Sequence, residues 1–336
     1  MNVMPTNAPQ YITGTVVGTT KDGQPIIVVP SSGQIAANMD VLTTLVQIPG
    51  IYLAQSIDIL EMLTGCERTN RYKIQPWDPK RGIERVSDGI LAPPFMKMKE
   101  NSECLHRQCC GAHRAFNMSL YPYADGQYPP QGADVFHLPG AVILERPWRC
   151  TMGGMPCFRP VMRVRHASVG YIGEIRQPSC GPFFNFHFDV YAPSRGEGSE
   201  DMMPSVPLHT HPSRMGELPG TKWYTIKGDL LQVGMFCFFP LMKACKVIEF
   251  NIYDASDVNH TNPIGHINKV YKDCCTSLLA DADSYTIQFP PAANEVQRAT
   301  LIAAAILIDF CMFEKGQEDE NGKSGGLLGN ILGAVL

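Results

Sequence analysis

Cys104, His106, Cys109, Cys110 and His113 put three thiols and two imidazoles within ten residues. Thiolate and neutral imidazole are the ligands of tetrahedral zinc, and the spacing allows one ion. A zinc site built from two half-sites far apart in sequence is the stronger signature, and plain thiols open to modification explain this compressed cluster as well. His209-Thr210-His211 supplies two more imidazoles, but in a Pro-, Ser- and Gly-rich stretch that reads as a solvated loop. Arg163 and Arg165 alternate, so they share one face of a strand, with Arg146, Trp148 and Arg149 nearby in sequence. Paired guanidiniums suit phosphate head groups, and Trp148 suits a polar–apolar boundary; alternating exposed arginines on a barrel surface account for the same residues. No Ser/His/Asp or paired-carboxylate arrangement, phosphate-binding glycine loop or dinucleotide fingerprint is present. Covalent catalysis and nucleotide chemistry of those classes therefore lose their basis.

The elements that must position these residues read as mainly β. The chain has 336 residues, 44% hydrophobic and only 18% charged, with Gly 30 and Pro 27 to punctuate short elements. Short β-rich runs recur at 71–74, 116–120, 141–145, 161–165, 169–175, 184–191, 247–253, 264–270 and 284–289, the spacing of an antiparallel sandwich or barrel. Leu53, Ile57, Leu60 and Leu63 recur at helical spacing before Thr64-Gly65, predicting a short amphipathic helix. Residues 1–49 hold few charges and read as a leader, with a hairpin over 11–19 and 25–29 or a mobile segment as equal alternatives. Residues 193–222 read as a surface loop, and 316–336 as a polar, then Gly-rich tail. A net charge of −4 gives no global basic field for nucleic acid. Met1 to Gln10 lacks the basic start and apolar run of a signal peptide, so a reducing compartment is expected.

The last element is the unusual one. Asn294 caps a predicted helix with Glu295 in its first turn, and from Ala299 the helix is apolar on every face, carrying Leu301, Ile302, Ile306, Leu307, Ile308 and Phe310. Such a helix lies either in lipid or inside protein. Fifteen apolar residues reach about 22 Å, short of a hydrocarbon core near 30 Å.

Ordered strings now connect this layout to a family. They are 57–65 (Ile-Asp-Ile-Leu-Glu-Met-Leu-Thr-Gly), Cys109-Cys110-Gly111 with Arg114 and Phe116, Leu144-Glu145-Arg146-Pro147, Gly170-Tyr171-Ile172-Gly173, Asp281-Ala282-Asp283 with Ile287-Gln288-Phe289-Pro290, and Leu307-Ile308-Asp309-Phe310. On these the chain resembles the phospholipid scramblases. The resemblance implies a tubby-like fold, a closed antiparallel β-barrel of about twelve strands around a hydrophobic C-terminal α-helix, occupying residues 50–315. It implies calcium-activated, bidirectional, ATP-independent movement of phospholipid between leaflets, which makes no covalent bond. The alternative is a non-transporting, membrane-associated adaptor that binds lipid or protein.

The resemblance also implies calcium at Asp281 and Asp283 and lipidation at Cys109 and Cys110. Counted from Asp281, an EF-hand-like series would continue at Tyr285, Ile287, Phe289 and Ala292, none of them a carboxylate. Two carboxylates predict weak binding. The competing reading is a turn before a strand with Tyr285, Ile287 and Phe289 inward. The implied partners are a phospholipid membrane and a second copy of the chain in a homo-oligomer, with no nucleic-acid site. The implied location is the plasma membrane, with the main domain cytoplasmic.

Overall fold

Twelve strands close on themselves in chain order. The computed structural model describes residues 16–19, 25–27, 40–46, 48–56, 69–82, 86–102, 114–124, 128–148, 159–178, 186–193, 220–229, 232, 247–270 and 284–313. Strands β1 (Val16–Thr19) and β2 (Pro25–Ile27) pair with each other, as the hairpin reading of the leader expects. Helix α1 (Val41–Leu45) follows. The barrel then runs through β3 (Gly50–Gln55), β4 (Arg71–Pro76), β5 (Met96–Asn101), β6 (Phe116–Pro122), β7 (Val142–Arg146) and β8 (Val161–His166). It continues through β9 (Gly170–Arg176), β10 (His187–Tyr191), β11 (Lys222–Gly228), β12 (Val247–Asp254), β13 (Pro263–Val270) and β14 (Ser284–Gln288). Every neighbour is antiparallel, and β14 returns to pair with β3, so no sheet edge is left open.

Alternation assigns each strand an inside. Tyr72 and Ile74 of β4, Met96 and Met98 of β5, Met162 and Val164 of β8, and Ile248, Phe250 and Ile252 of β12 are buried inward. Their neighbours in sequence point to solvent or to covering loops, as the period of two requires. Helix α2 (Glu295–Met312) fills the lumen. Its start is a capping box: Asn294 accepts from the Gln297 amide at 2.9 Å while Gln297 accepts from the Asn294 amide at 3.0 Å. The sequence strings bear on this packing too. A Cβ on Gly173 would stand 2.8 Å from Thr300 Oγ1, so with Thr300 in place β9 takes glycine where it crosses the helix.

The expected helix through Leu53 is corrected. Leu53 lies on β3, buried opposite Ile74 of β4 and Tyr285 of β14. Ile51 and Leu53 alternate inward, and barrel closure demands a strand there; a short apolar run satisfies both periodicities. Residues 57–65 of that prediction, 194–219 of the predicted loop and the 316–336 tail lie outside the described residues. With β3, strands β5 and β11 are the barrel strands that the β-rich runs did not indicate.

Helix α1 closes one barrel end. Asp40 caps it, accepting from the Leu42 amide at 2.7 Å, and sits 2.8 Å from His166 Nε2 of β8. His166 Nδ1 accepts from the Ser168 and Val169 amides at 3.3 and 3.2 Å, which leaves the proton on Nε2, facing Asp40. Burial pushes the Asp40 carboxyl up, but the adjoining His166 ring and the two cap amides outweigh it and hold it below the ordinary aspartate value. A depressed carboxyl contributes stability that is full above its unfolded pKa and lost as pH falls through the folded one. Asp40→Ala is therefore expected to lower stability near pH 7 by about 0.5–2 kcal/mol and to flatten the loss below pH 4, read by urea denaturation across pH.

Candidate functional site

The residues that bear most directly on the membrane expectation are those of α2, because they decide whether that helix can enter lipid. Arg298 to Phe310 are buried without a break, and Leu301, Ile302, Ile306, Leu307 and Ile308 are at 0% exposure. Ala303, Ala304 and Ala305 keep the helix narrow where the wall approaches it. Among the described residues no helix is long and apolar enough to cross a membrane. Of the two environments open to an apolar helix, protein is the one observed.

Polar anchors hold each end. At the start, Arg298 Nε donates to the Ala293 carbonyl at 2.9 Å. Its Nη1 donates to the Leu45, Val46 and Ile48 carbonyls at 2.7, 2.8 and 3.0 Å. One guanidinium thus ties the helix to α1 and to the chain leading into β3. Near the other end Asp309 is buried, and both of its oxygens are used: Tyr72 donates to Oδ2 and Tyr285 to Oδ1, each at 2.6 Å. Lys269 Nζ stands 3.8 Å from Oδ1 and 3.9 Å from the centre of the Phe313 ring.

The barrel also supplies the cations that the last turn of α2 lacks. Arg114, 1% exposed, forks onto Glu100 at 2.9 and 3.2 Å and lies 4.9 Å from the Phe310 ring centre. Arg146 lies 5.6 Å from the same ring, which stacks on Phe116 at 4.2 Å. Cations at the C-terminal end of a helix complement its carbonyl dipoles, and a desolvated cation over a ring is worth more than an exposed one. Arg114, Phe116, Arg146, Asp309 and Phe310 come from three of the ordered strings and meet around one helix end.

The other candidate residues fall in separate places. Asp281 and Asp283, Cys109 and Cys110, the rest of the Cys104–His113 cluster, and His209 with His211 lie outside the described residues. Among the described residues no three His, Cys, Asp or Glu side chains are grouped to hold a metal. Tyr285, Ile287 and Phe289 are buried and inward. Arg163 and Arg165 share the outer face of β8, Arg163 3.7 Å from Glu174 and Arg165 3.2 Å from Glu145. Arg146 is corrected: it is buried in the lumen and cannot join that face. Alternation with inward Val142 and Leu144 on β7 carried this signal. Arg298, Tyr72, Lys269 and the Arg114–Glu100 pair were not singled out by chemistry-based reading, since their roles depend on contacts across the barrel.

A family model described as Scramblase matches residues 29–197 and 222–315. The chain belongs to the scramblase family. It is 25% identical over 283 residues to phospholipid scramblase 1 of Mus musculus, covering 83% of this chain and 65% of that protein. It is 25% identical to phospholipid scramblase 2 of Bos taurus, covering 81% of this chain and 71% of that protein, and to phospholipid scramblase 1 of Homo sapiens, covering 84% and 69%. No solved structure matches. The match reaches beyond the ordered strings to residue 29 and so takes in Asp40 and α1.

Removing the Asp309 carboxyl takes away the acceptor that the Tyr72 and Tyr285 phenols share and a charge 3.8 Å from the buried Lys269. Asp309→Ala is expected to cost about 3–5 kcal/mol, and Tyr72→Phe about 1.5–3 kcal/mol, measured by chemical denaturation of the full chain. Both variants unfolding at the wild-type midpoint would contradict the anchoring role.

Proposed function

We propose that this scramblase-family chain associates with phospholipid membranes and moves phospholipid between leaflets in both directions without ATP. The observation that carries the reading is the family match, which spans nearly the whole barrel and α2. Movement down an existing gradient breaks no covalent bond, so the reading needs no nucleophile or base. It does need contact with lipid. With α2 anchored in the lumen, that contact belongs to the outer surface of the barrel and to segments that flank it. Lipidation at Cys109 and Cys110 would supply attachment of the kind a surface-bound domain requires, at the cytoplasmic face of the plasma membrane.

Calcium is the activator in this proposal, held by Asp281 and Asp283 with backbone carbonyls. Two carboxylates place its dissociation constant on the order of 10⁻⁴–10⁻³ M. The buried α2 favours a second reading, a membrane-associated adaptor that binds lipid or protein and transports nothing. Emptying the lumen to send α2 into lipid would turn its lining to water at about 1.5–3 kcal/mol per large side chain. About six such side chains equal the whole folding free energy of an ordinary domain, about 5–15 kcal/mol.

The two readings separate in liposomes loaded with fluorescent lipid and treated with an external quencher. Transport predicts that purified full-length chain raises the quenched fraction above the outer-leaflet share at millimolar calcium, and that Asp281→Ala removes the calcium response. Quenching that stays at the outer-leaflet share while the protein remains vesicle-bound would sink transport and leave the adaptor.

A further inference from the structure

On the outer face of β4 and β5 the register sets cation against cation. Arg71 is paired with Lys99 and Lys73 with Lys97. Neighbouring strands lie about 4.8 Å apart and alternate residues about 6.8 Å along a strand, so four positive charges issue from a patch one strand-pair wide. The flanking outward positions supply no carboxylate: Ala54 and Tyr52 on β3, Ser119 and Tyr121 on β6. Lys73 and Lys99 are exposed, and Arg71 and Lys97 are half-buried. Lys97 Nζ stands 3.3 Å from the centre of the Tyr123 ring. Asp134, on the loop covering β6, feels the charge of Lys99, but its own partners are His137 at 2.8 Å and the Phe136 amide at 3.0 Å.

The rest of the outer wall is arranged differently. On β7 to β9 the register sets Glu145 and Glu174 against Arg163. Asp189 of β10 faces Arg176 of β9 and accepts from Thr225 at 2.9 Å. Glu249 of β12 lies 3.7 Å from His266 of β13. The outward positions of β14 and β3, Ser284, Thr286, Tyr52 and Ala54, carry no charge. Among the described residues, opposite charges are interleaved or charge is absent on the other outer strand pairs, except where Lys227 of β11 stands against His187 of β10 and 2.8 Å from His260. Like charges directly opposite destabilise a sheet, and this register sets them opposite twice, in a chain whose net charge is −4.

We propose that the β4–β5 face is where the barrel docks on a bilayer surface rich in anionic phospholipid. Charge complementarity names the occupant. A block of lysine and arginine, exposed at Lys73 and Lys99, matches a plane of phosphate and carboxylate head groups, and Tyr123 under Lys97 suits the head-group layer. The inference deepens the membrane reading, because it says which way the barrel faces, and it requires only binding and no lipid transport.

The test is flotation of the full chain with phosphatidylcholine vesicles, with and without phosphatidylserine, over a range of salt. Removing one cation near an anionic surface lowers partitioning about fivefold, so Lys73→Gln with Lys99→Gln should lower binding to the phosphatidylserine vesicles by about 25-fold and flatten its salt dependence. Arg165→Gln with Lys80→Gln, which removes equal charge elsewhere, should lower it only a few-fold. The thermal midpoint of the Lys73/Lys99 variant should equal or exceed that of the wild type, since a repulsion has been relieved; a lowered midpoint would make these lysines structural and overturn the proposal. Equal losses from both double variants, or no loss from the first, would overturn it as well. A chain that binds through this face yet fails the quenching assay would sink transport and leave the docking face standing.

Discussion

A helix without a polar face cannot meet water, and the rest of this molecule follows from enclosing one. Eighteen residues of α2 extend about 27 Å, and a ring of twelve strands gives a lumen wide enough for one helix. Closure removes the sheet edges, and the lumen removes the need for lipid. The polar groups at the two ends of the enclosed helix are answered: Asp309 by two phenols and Lys269, and the helix start by Arg298 binding the carbonyls around α1. A helix so anchored is a core element, and the surface that meets phospholipid has to be found on the outside.

That shift changes how the family motifs read. Arg114, Phe116, Arg146, Asp309 and Phe310 are separated by up to about two hundred residues, yet they make one cluster around the C-terminal turn of α2. Their part in function is to keep the lumen filled. On the proposed reading the outer wall is what meets the membrane, and its charge is interleaved on β7 to β10, absent on β14 and β3, and positive on β4 and β5.

How much of this was legible in the sequence depended on range. Strands such as β12 and β14 declare themselves through β-branched and aromatic residues at period two, and the C-terminal helix through its cap and its apolar run. Strand β5, Met-Lys-Met-Lys-Glu-Asn, is made of good helix formers and is a strand only because β4 and β6 pair with it on both sides. Leu53 fits a helical period and a strand equally, and closure with β14 decided it. Asp309 is visible in sequence as an interruption of the apolar run, but Tyr72, 237 positions away, is not visible as its partner. Lys73 and Lys99 each show a two-residue alternation with another cation; that the two alternations face each other is a fact of register alone. The barrel itself entered through the resemblance, because strand count and spacing do not distinguish a closed barrel from a sandwich.

The central claim is that α2 stays in the lumen when the protein is on a membrane. A Cβ at position 173 would stand 2.8 Å from the Thr300 side chain, so Gly173→Cys with Thr300→Cys is within reach of a disulfide between wall and helix. With the unmodified chain as the oxidation control, the disulfide is expected to form equally in solution and on phosphatidylserine vesicles, and the locked protein is expected to bind those vesicles as the reduced one does. Vesicle binding abolished by the lock and restored by a reductant would show that the helix must leave the barrel, and would contradict the account.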